Sequence, residues 1–172
     1  MHPNTQSLIQ KLALVPHPEG GYYRETYRAP TQVHSAKHGG LRSAFTCIHF
    51  LLSGDQYSAW HRVASDESWF FHEGCNLEVY SLLPVSGLQT TVVHTQTLGG
   101  TAGRYELTIA AGTWFAARAT RPDDHALVSC VVAPGFEFDD FELASKDQLV
   151  QAGYRDTADW AMIESLLVSK EQ

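Results

Sequence analysis

The spacing of apolar and polar positions changes twice along the chain. Near the start, Leu8, Ile9 and Leu12 recur at helical intervals and Asn4 is placed to cap. Residues 4 to 14 therefore read as a short helix, stopped by Pro16 and Pro18. From Tyr22 the period drops to two, with Tyr23, Glu25 and Tyr27 alternating against Tyr22, Arg24 and Thr26. Residues 29 to 43 are polar and glycine-bearing and read as a loop. From Ser43 the pattern is one strand after another. Residues 44–52 are apolar on both parities, as expected of a strand buried on two faces. Further strands are predicted over 57–63, 67–72, 77–83, 88–97, 104–109, 113–118, 127–133 and 136–141. Gly54-Asp55, Ser86-Gly87, Ala111-Gly112 and Pro134-Gly135 supply turns between them. LGGTAG at 98–103 lacks the spacing of a phosphate loop and reads as a hairpin turn. Helix returns only at the end. Ser145 and Gln148 form a capping box for a helix to about Gln151, and Asp156 or Thr157 opens another with Trp160, Ile163 and Leu167 on one face. Short strands framed by terminal helices predict an all-β sandwich or barrel, with its core over about 44–141 of a single 172-residue domain.

Composition narrows the function classes. Twelve basic residues against nineteen acidic ones leave a net charge of −7, which argues against a nucleic-acid footprint and against attraction to anionic membranes. No run approaches the length of a membrane span, and the N-terminus lacks the basic and apolar regions of a signal peptide. Cys47, Cys75 and Cys130 are odd in number and far apart, which fits free thiols in a cytoplasmic protein.

The candidate chemistry is concentrated in SAWHRVASDESWFFHEG, residues 58–74. His61, Arg62, Asp66, Glu67, His72 and Glu73 stand there among Trp60, Trp69, Phe70 and Phe71. Charged groups this dense among large apolar ones mark a wall that is part core and part pocket, with His61 and Glu67 facing a bound molecule. Strand alternation puts Glu67, Trp69 and Phe71 on one face and Ser68, Phe70 and His72 on the other. Glu19, before two glycines, can reach a ligand, and Arg24 and Arg118 can hold a phosphate or carboxylate. Trp60, Trp69 and Phe115 can stack on a ring. Each also has an ordinary reading, as core, salt bridge or turn cap.

PHPEGGYYRETYR, SAWHRVASDESWFFHEG, AAGTWFAAR and VAPGFEFDDFELA together resemble the cupin superfamily and, within it, the cupin-5 family (DUF985), over about residues 8–145. Gly54, His61, Glu67 and Gly74 follow the order of the first cupin motif. The resemblance implies a jelly-roll β-barrel with short terminal helices, a homodimer, and a small-molecule ligand, with sugar nucleotides suggested by likeness to rhamnose-type epimerases. Metal-binding cupins use a second histidine where this chain has Val63 and another where it has Phe115. Two remaining ligands rarely hold a divalent ion, so the expectation is a pocket without metal or other cofactor; a metal, if present, would fall to His61, Glu67 and His72. Three functions stay open: a metal-independent epimerase or isomerase, a non-catalytic binding cupin, and, with least support, a metal-dependent oxygenase or decarboxylase. In the first, His61 is the base, Glu67 orients it, and Tyr23 is the opposed acid.

Overall fold

The computed structural model describes residues 3–168 except 36, 38, 55 and 87–90. The side chain of Asn4, the turn residues Asp55 and Gly87, and the start of the strand expected over 88–97 lie outside the described residues. Helix α1 (Pro3–Lys11) opens the chain, and strands β1 (Val15–Pro16) and β2 (Tyr22–Arg28) follow. Where the sequence reads as a loop, the chain forms a hairpin of β3 (Gln32–Ser35) and β4 (Gly40–Ser43), which pairs only with itself. Polar side chains on both faces hid it, because a strand pair outside a sheet has no apolar face to show in the sequence. Then come β5 (Thr46–Ser53), β6 (Tyr57–Val63), β7 (Asp66–Gly74), β8 (Leu77–Leu82), β9 (Val93–Leu98), β10 (Glu106–Ile109), β11 (Phe115–Ala119), β12 (His125–Ala133) and β13 (Phe141–Leu143). Helices α2 (Lys146–Gln151) and α3 (Trp160–Ser165) close it.

The strands form two antiparallel sheets, ordered β1-β2-β5-β12-β7-β10 and β13-β6-β11-β8-β9. This is a jelly-roll sandwich: apart from β1-β2 and β8-β9, neighbours in a sheet are not consecutive in sequence, and consecutive strands repeatedly change sheet. LGGTAG is one such crossing. Gly99 and Arg104 form an isolated bridge, but β9 and β10 belong to different sheets, so the segment is a corner and not a simple hairpin. Strands β6 and β7 also lie in opposite sheets. His61 and Glu67 therefore face each other's layer across the sandwich.

Three apolar clusters hold the layers. Between the sheets pack Phe50, Leu52, Trp69, Phe115 and Val128. Leu51 points the other way, out of the large sheet, where Leu127, Leu14 and the apolar face of α1 cover it. That two-sided burial explains why β5 is apolar on both parities. On the outer face of the small sheet, Trp60, Tyr80 and Leu82 meet Leu149, Ile163 and Leu166 from α2, α3 and its C-terminal end. The capping box of α2 is complete: Ser145 Oγ accepts from Gln148 N at 3.2 Å, and Ser145 N donates to Gln148 Oε1 at 2.9 Å. Residues 136–141, expected as a strand, instead run through a 3-10 turn (Phe138–Asp140) before β13. Arg42 fixes that turn through two bonds to Asp140, at 2.8 and 3.1 Å.

Candidate functional site

The main cavity opens at one end of the sandwich, between the sheets. It encloses about 140 Å³, and Ile48, Phe50, Glu67 and Cys130 line it from the large sheet, His61, Val63 and Phe141 from the small one. The turn before β2 contributes His17 and Glu19, and the segment before β13 contributes Phe136 and Phe138.

Two glycines place Glu19. Gly20 and Gly21 adopt φ values of +106° and +71°, and a β-carbon on Gly20 would lie 2.2 Å from the Tyr57 carbonyl. Only glycine permits both that backbone and that approach. The turn closes with His17 N donating to Gly21 O and Gly20 N to His17 O, each at 3.0 Å. Ala59 N, at 2.8 Å, then donates to the Glu19 carbonyl and ties the turn to β6.

A bulge places His61. Phe115 pairs with His61 but Ala117 pairs with Ser58, so β6 carries one extra residue at Ala59-Trp60. The extra residue lets Ser58 and His61, three positions apart, reach the same carboxyl. Ser58 Oγ donates to Glu19 Oε1 at 2.8 Å, and His61 Nε2 lies 3.2 Å from Glu19 Oε2. Trp60 is turned outward onto the helices, where its Nε1 donates to Ile163 O at 2.8 Å.

The hydrogen bonds define the protonation states. His61 Nδ1 is 2.7 Å from the Ala59 carbonyl, which can only accept, so that nitrogen carries the proton and Nε2 is a bare acceptor in the neutral ring. Glu19 Oε2 can then bond it only as a protonated acid. Both shifts run that way. Burial lowers the His61 pKa to about 3, with the Ala59 bond opposing and His17 assisting. Burial, then the nearby Glu67 charge, raise Glu19 well above the usual carboxylate range, with Ser58 opposing. His17 takes the other tautomer: its Nδ1 accepts from Glu19 N at 3.3 Å, which leaves the proton on Nε2. Burial lowers its pKa to about 4. Burial raises Glu67 to about 7, with bonds from the Trp69 indole and the Cys130 thiol pulling back. Trp69 Nε1 donates to Glu67 Oε1 at 2.8 Å.

Of the residues singled out in the sequence, His61, Glu67, Tyr23 and Glu19 line this cavity. Phe115 lies against the His61 ring, at 4.0 Å between centroids, and Trp69 reaches the site through Glu67. The others sit elsewhere. Trp60 belongs to the helix-facing core. Arg24 is exposed on β2, opposite His49. His72 is on the outer face of the large sheet, 2.6 Å from Ser129 Oγ. Arg118 is exposed beside Glu78. The orienting partner of His61 is Glu19 together with the Ala59 carbonyl, not Glu67. Sequence reasoning passed over His17, Glu25, Arg28, Glu137, Phe138 and Phe141. His17 had a local signal, because it shares its turn with Glu19 and the glycine pair. Arg28 and Glu137, 109 positions apart, had none.

Two antiparallel jelly-roll sheets closed over a ligand-sized cavity define a cupin barrel. This chain belongs to the cupin family described as Cupin superfamily (DUF985), whose model matches residues 6–144. It is similar to a solved hypothetical protein from Leishmania major, at 30% identity and a TM-score of 0.81, covering 95% of this chain and 98% of that one. It is also similar to a solved protein from Shewanella oneidensis, at 33% identity and a TM-score of 0.80, covering 96% and 98%. The fold alone is shared with an oxalate decarboxylase from Lactobacillus farciminis, at 15% identity and a TM-score of 0.54, covering 92% of this chain and 42% of that one. No curated protein matches the sequence.

The metal set of the wider superfamily does not fit these residues. His61 spends Nδ1 on Ala59 and Nε2 on Glu19, and the Phe115 ring lies against it. His72 is on the opposite face of β7 from Glu67. Among the described residues, no group of three or more His, Cys, Asp or Glu side chains is arranged to hold a metal ion. Nor, among them, is any helix long and apolar enough to cross a membrane.

Proposed function

We propose that this cavity moves a proton at a carbon beside a carbonyl in a small molecule, as an isomerase or epimerase does. The observation that carries the reading is Glu67, a carboxyl in an apolar-walled cavity, with a pKa of about 7. A general base works best when its pKa lies near the working pH. The Glu67 carboxylate takes the proton as the C–H bond breaks, and the electron pair moves into the carbonyl to give an enolate. His17, neutral and protonated on Nε2, is the donor suited to the enolate oxygen, since a neutral imidazole polarises a carbonyl without surrendering its own proton. Tyr23, which lines the same cavity and packs edge-on to His17 at 4.6 Å between centroids, is the acid that returns a proton to the carbon. His61 moves from base to positioning residue, because both its nitrogens are engaged.

The ligand is small. A cavity near 140 Å³ matches a ring-sized group, as about 150 Å³ accommodates benzene. Neither Arg24 nor Arg118 lies at the cavity, and Arg28, which does, is bonded to Glu25 and Glu137, which favours a compact carbonyl compound over a sugar nucleotide. The test is proton exchange in D₂O, followed by NMR across a panel of small hydroxyketones and keto-sugars. Deuterium should enter beside the carbonyl, the rate should climb with pH through about 7, and Glu67→Gln should abolish exchange while the fold stays intact. If the wild type binds a member of the panel yet exchanges none, the chain is a non-catalytic binding cupin.

A further inference from the structure

The charges around the cavity are unbalanced. Glu19 is a neutral acid, but Glu67 lies inside the cavity and Glu25 and Glu137 stand at its mouth. Arg28 is the only lysine or arginine among the described lining residues, and it is already committed. It donates to Glu25 at 3.0 and 2.9 Å, to Glu137 at 2.6 Å, and to the Phe136 carbonyl at 3.0 Å. The two lining imidazoles offer no charge either, since their hydrogen bonds define neutral tautomers. An anion entering here would meet carboxyl groups and no uncommitted cation.

The walls favour the opposite sign. Phe136, Phe138 and Phe141 surround one corner of the cavity, with ring centroids 5.1, 6.0 and 6.2 Å apart and planes 63–83° to one another. His17 stacks on Phe138 at 6.2 Å and meets Phe141 edge-on at 5.7 Å. Phe138 remains 51% exposed, on a turn that holds no buried residue, so folding gains little from it. An exposed phenyl at the mouth of an acidic cavity is explained by what it meets there. Aromatic faces with nearby carboxylates are the standard chemistry for holding an organic ammonium ion, which gains from the ring quadrupole and loses little on desolvation.

We propose that the cavity takes a small organic ammonium ion, its cationic head set among Phe136, Phe138 and Phe141 and its charge answered by the carboxylates of Glu67, Glu25 and Glu137. The inference rests on the reading of this cavity as a small-molecule site and names the class of molecule: an amine-bearing carbonyl compound. The cavity volume suits a trimethylammonium-sized head.

The experiment is calorimetric titration of the full-length chain at neutral pH with choline and with its uncharged isostere, in which carbon replaces the quaternary nitrogen. Choline should bind about tenfold tighter, the ratio expected of a partly desolvated cation on aromatic faces. Phe138→Leu, which keeps the apolar bulk but removes the ring, should shrink that ratio toward one and leave the isostere's affinity nearly unchanged. The proposal is overturned if the isostere binds as tightly as choline, or if choline fails to bind at millimolar concentrations. This result is independent of turnover. Exchange of neutral ketones without ammonium binding would sink this proposal alone, and ammonium binding without any exchange would sink the catalytic reading alone.

Discussion

Replacing Glu19 by glutamine separates two descriptions of the buried centre. As a protonated acid, Glu19 donates one O–H to His61 Nε2 and accepts from Ser58 with its other oxygen. An amide repeats both bonds: its N–H donates to the imidazole and its carbonyl accepts from the serine. Net hydrogen-bond energies of about 1 kcal/mol then limit the change in stability to about 1 kcal/mol. An ion pair behaves differently. If Glu19 were a carboxylate facing an imidazolium, glutamine would strand a buried cation, at a cost of about 3–5 kcal/mol. Glu19→Ala calibrates the scale. It leaves the Ser58 hydroxyl and His61 Nε2 without partners, each costing about 1–3 kcal/mol, so roughly 3 kcal/mol should be lost. Urea unfolding at pH 4.5, where the unfolded chain's Glu19 is also about half protonated and burying the acid costs wild type little, extrapolated linearly for the three proteins, provides the comparison. Near-equality of wild type and Glu19→Gln, with Glu19→Ala well below both, is expected. A glutamine variant as unstable as the alanine variant refutes the neutral pair, as would ¹⁵N shifts of an imidazolium at His61.

The same groups set the pH profile of stability. Glu67 has a raised folded pKa, so its contribution is complete below 4.5 and is lost as pH climbs to about 7, a fall of roughly 3 kcal/mol. Glu19 acts in the same direction. His17 and His61 have depressed values, so theirs is complete above 6.5 and is lost as pH falls toward about 4 and about 3. These four groups together place maximum stability between pH 4.5 and 6.5, and a melting profile rising steadily from pH 6 to 9 would contradict the assignments. Gly20→Ala should cost about 2 kcal/mol or more, because it adds a steric collision to a left-handed backbone. Gly112→Ala, at φ +80° with nothing within 4 Å of the new methyl, should cost only about 1 kcal/mol. Equal losses in the two variants would show that the Tyr57 carbonyl does not constrain the turn.

Periodicity along the chain was enough for most strands of the two large sheets, the terminal helices and the faces of β7, because alternation and capping act between residues a few positions apart. Charged groups inside an apolar run singled out His61 and Glu67 without any structure, the glycine pair pointed to Glu19, and the likeness to rhamnose-type epimerases supplied Tyr23. What pairs with what was not legible. The bulge at Ala59-Trp60 shifts strand parity, and it shows only when β11 lies alongside. That shift turns Trp60 onto the helices and His61 toward Glu19, 42 residues earlier. Burial then decides the chemistry: the same histidine and glutamates would titrate near their ordinary values in water, and only enclosure between two sheets drives them apart. The Arg28 clasp at the mouth joins residues 109 positions apart, a juxtaposition that exists only after the layers close.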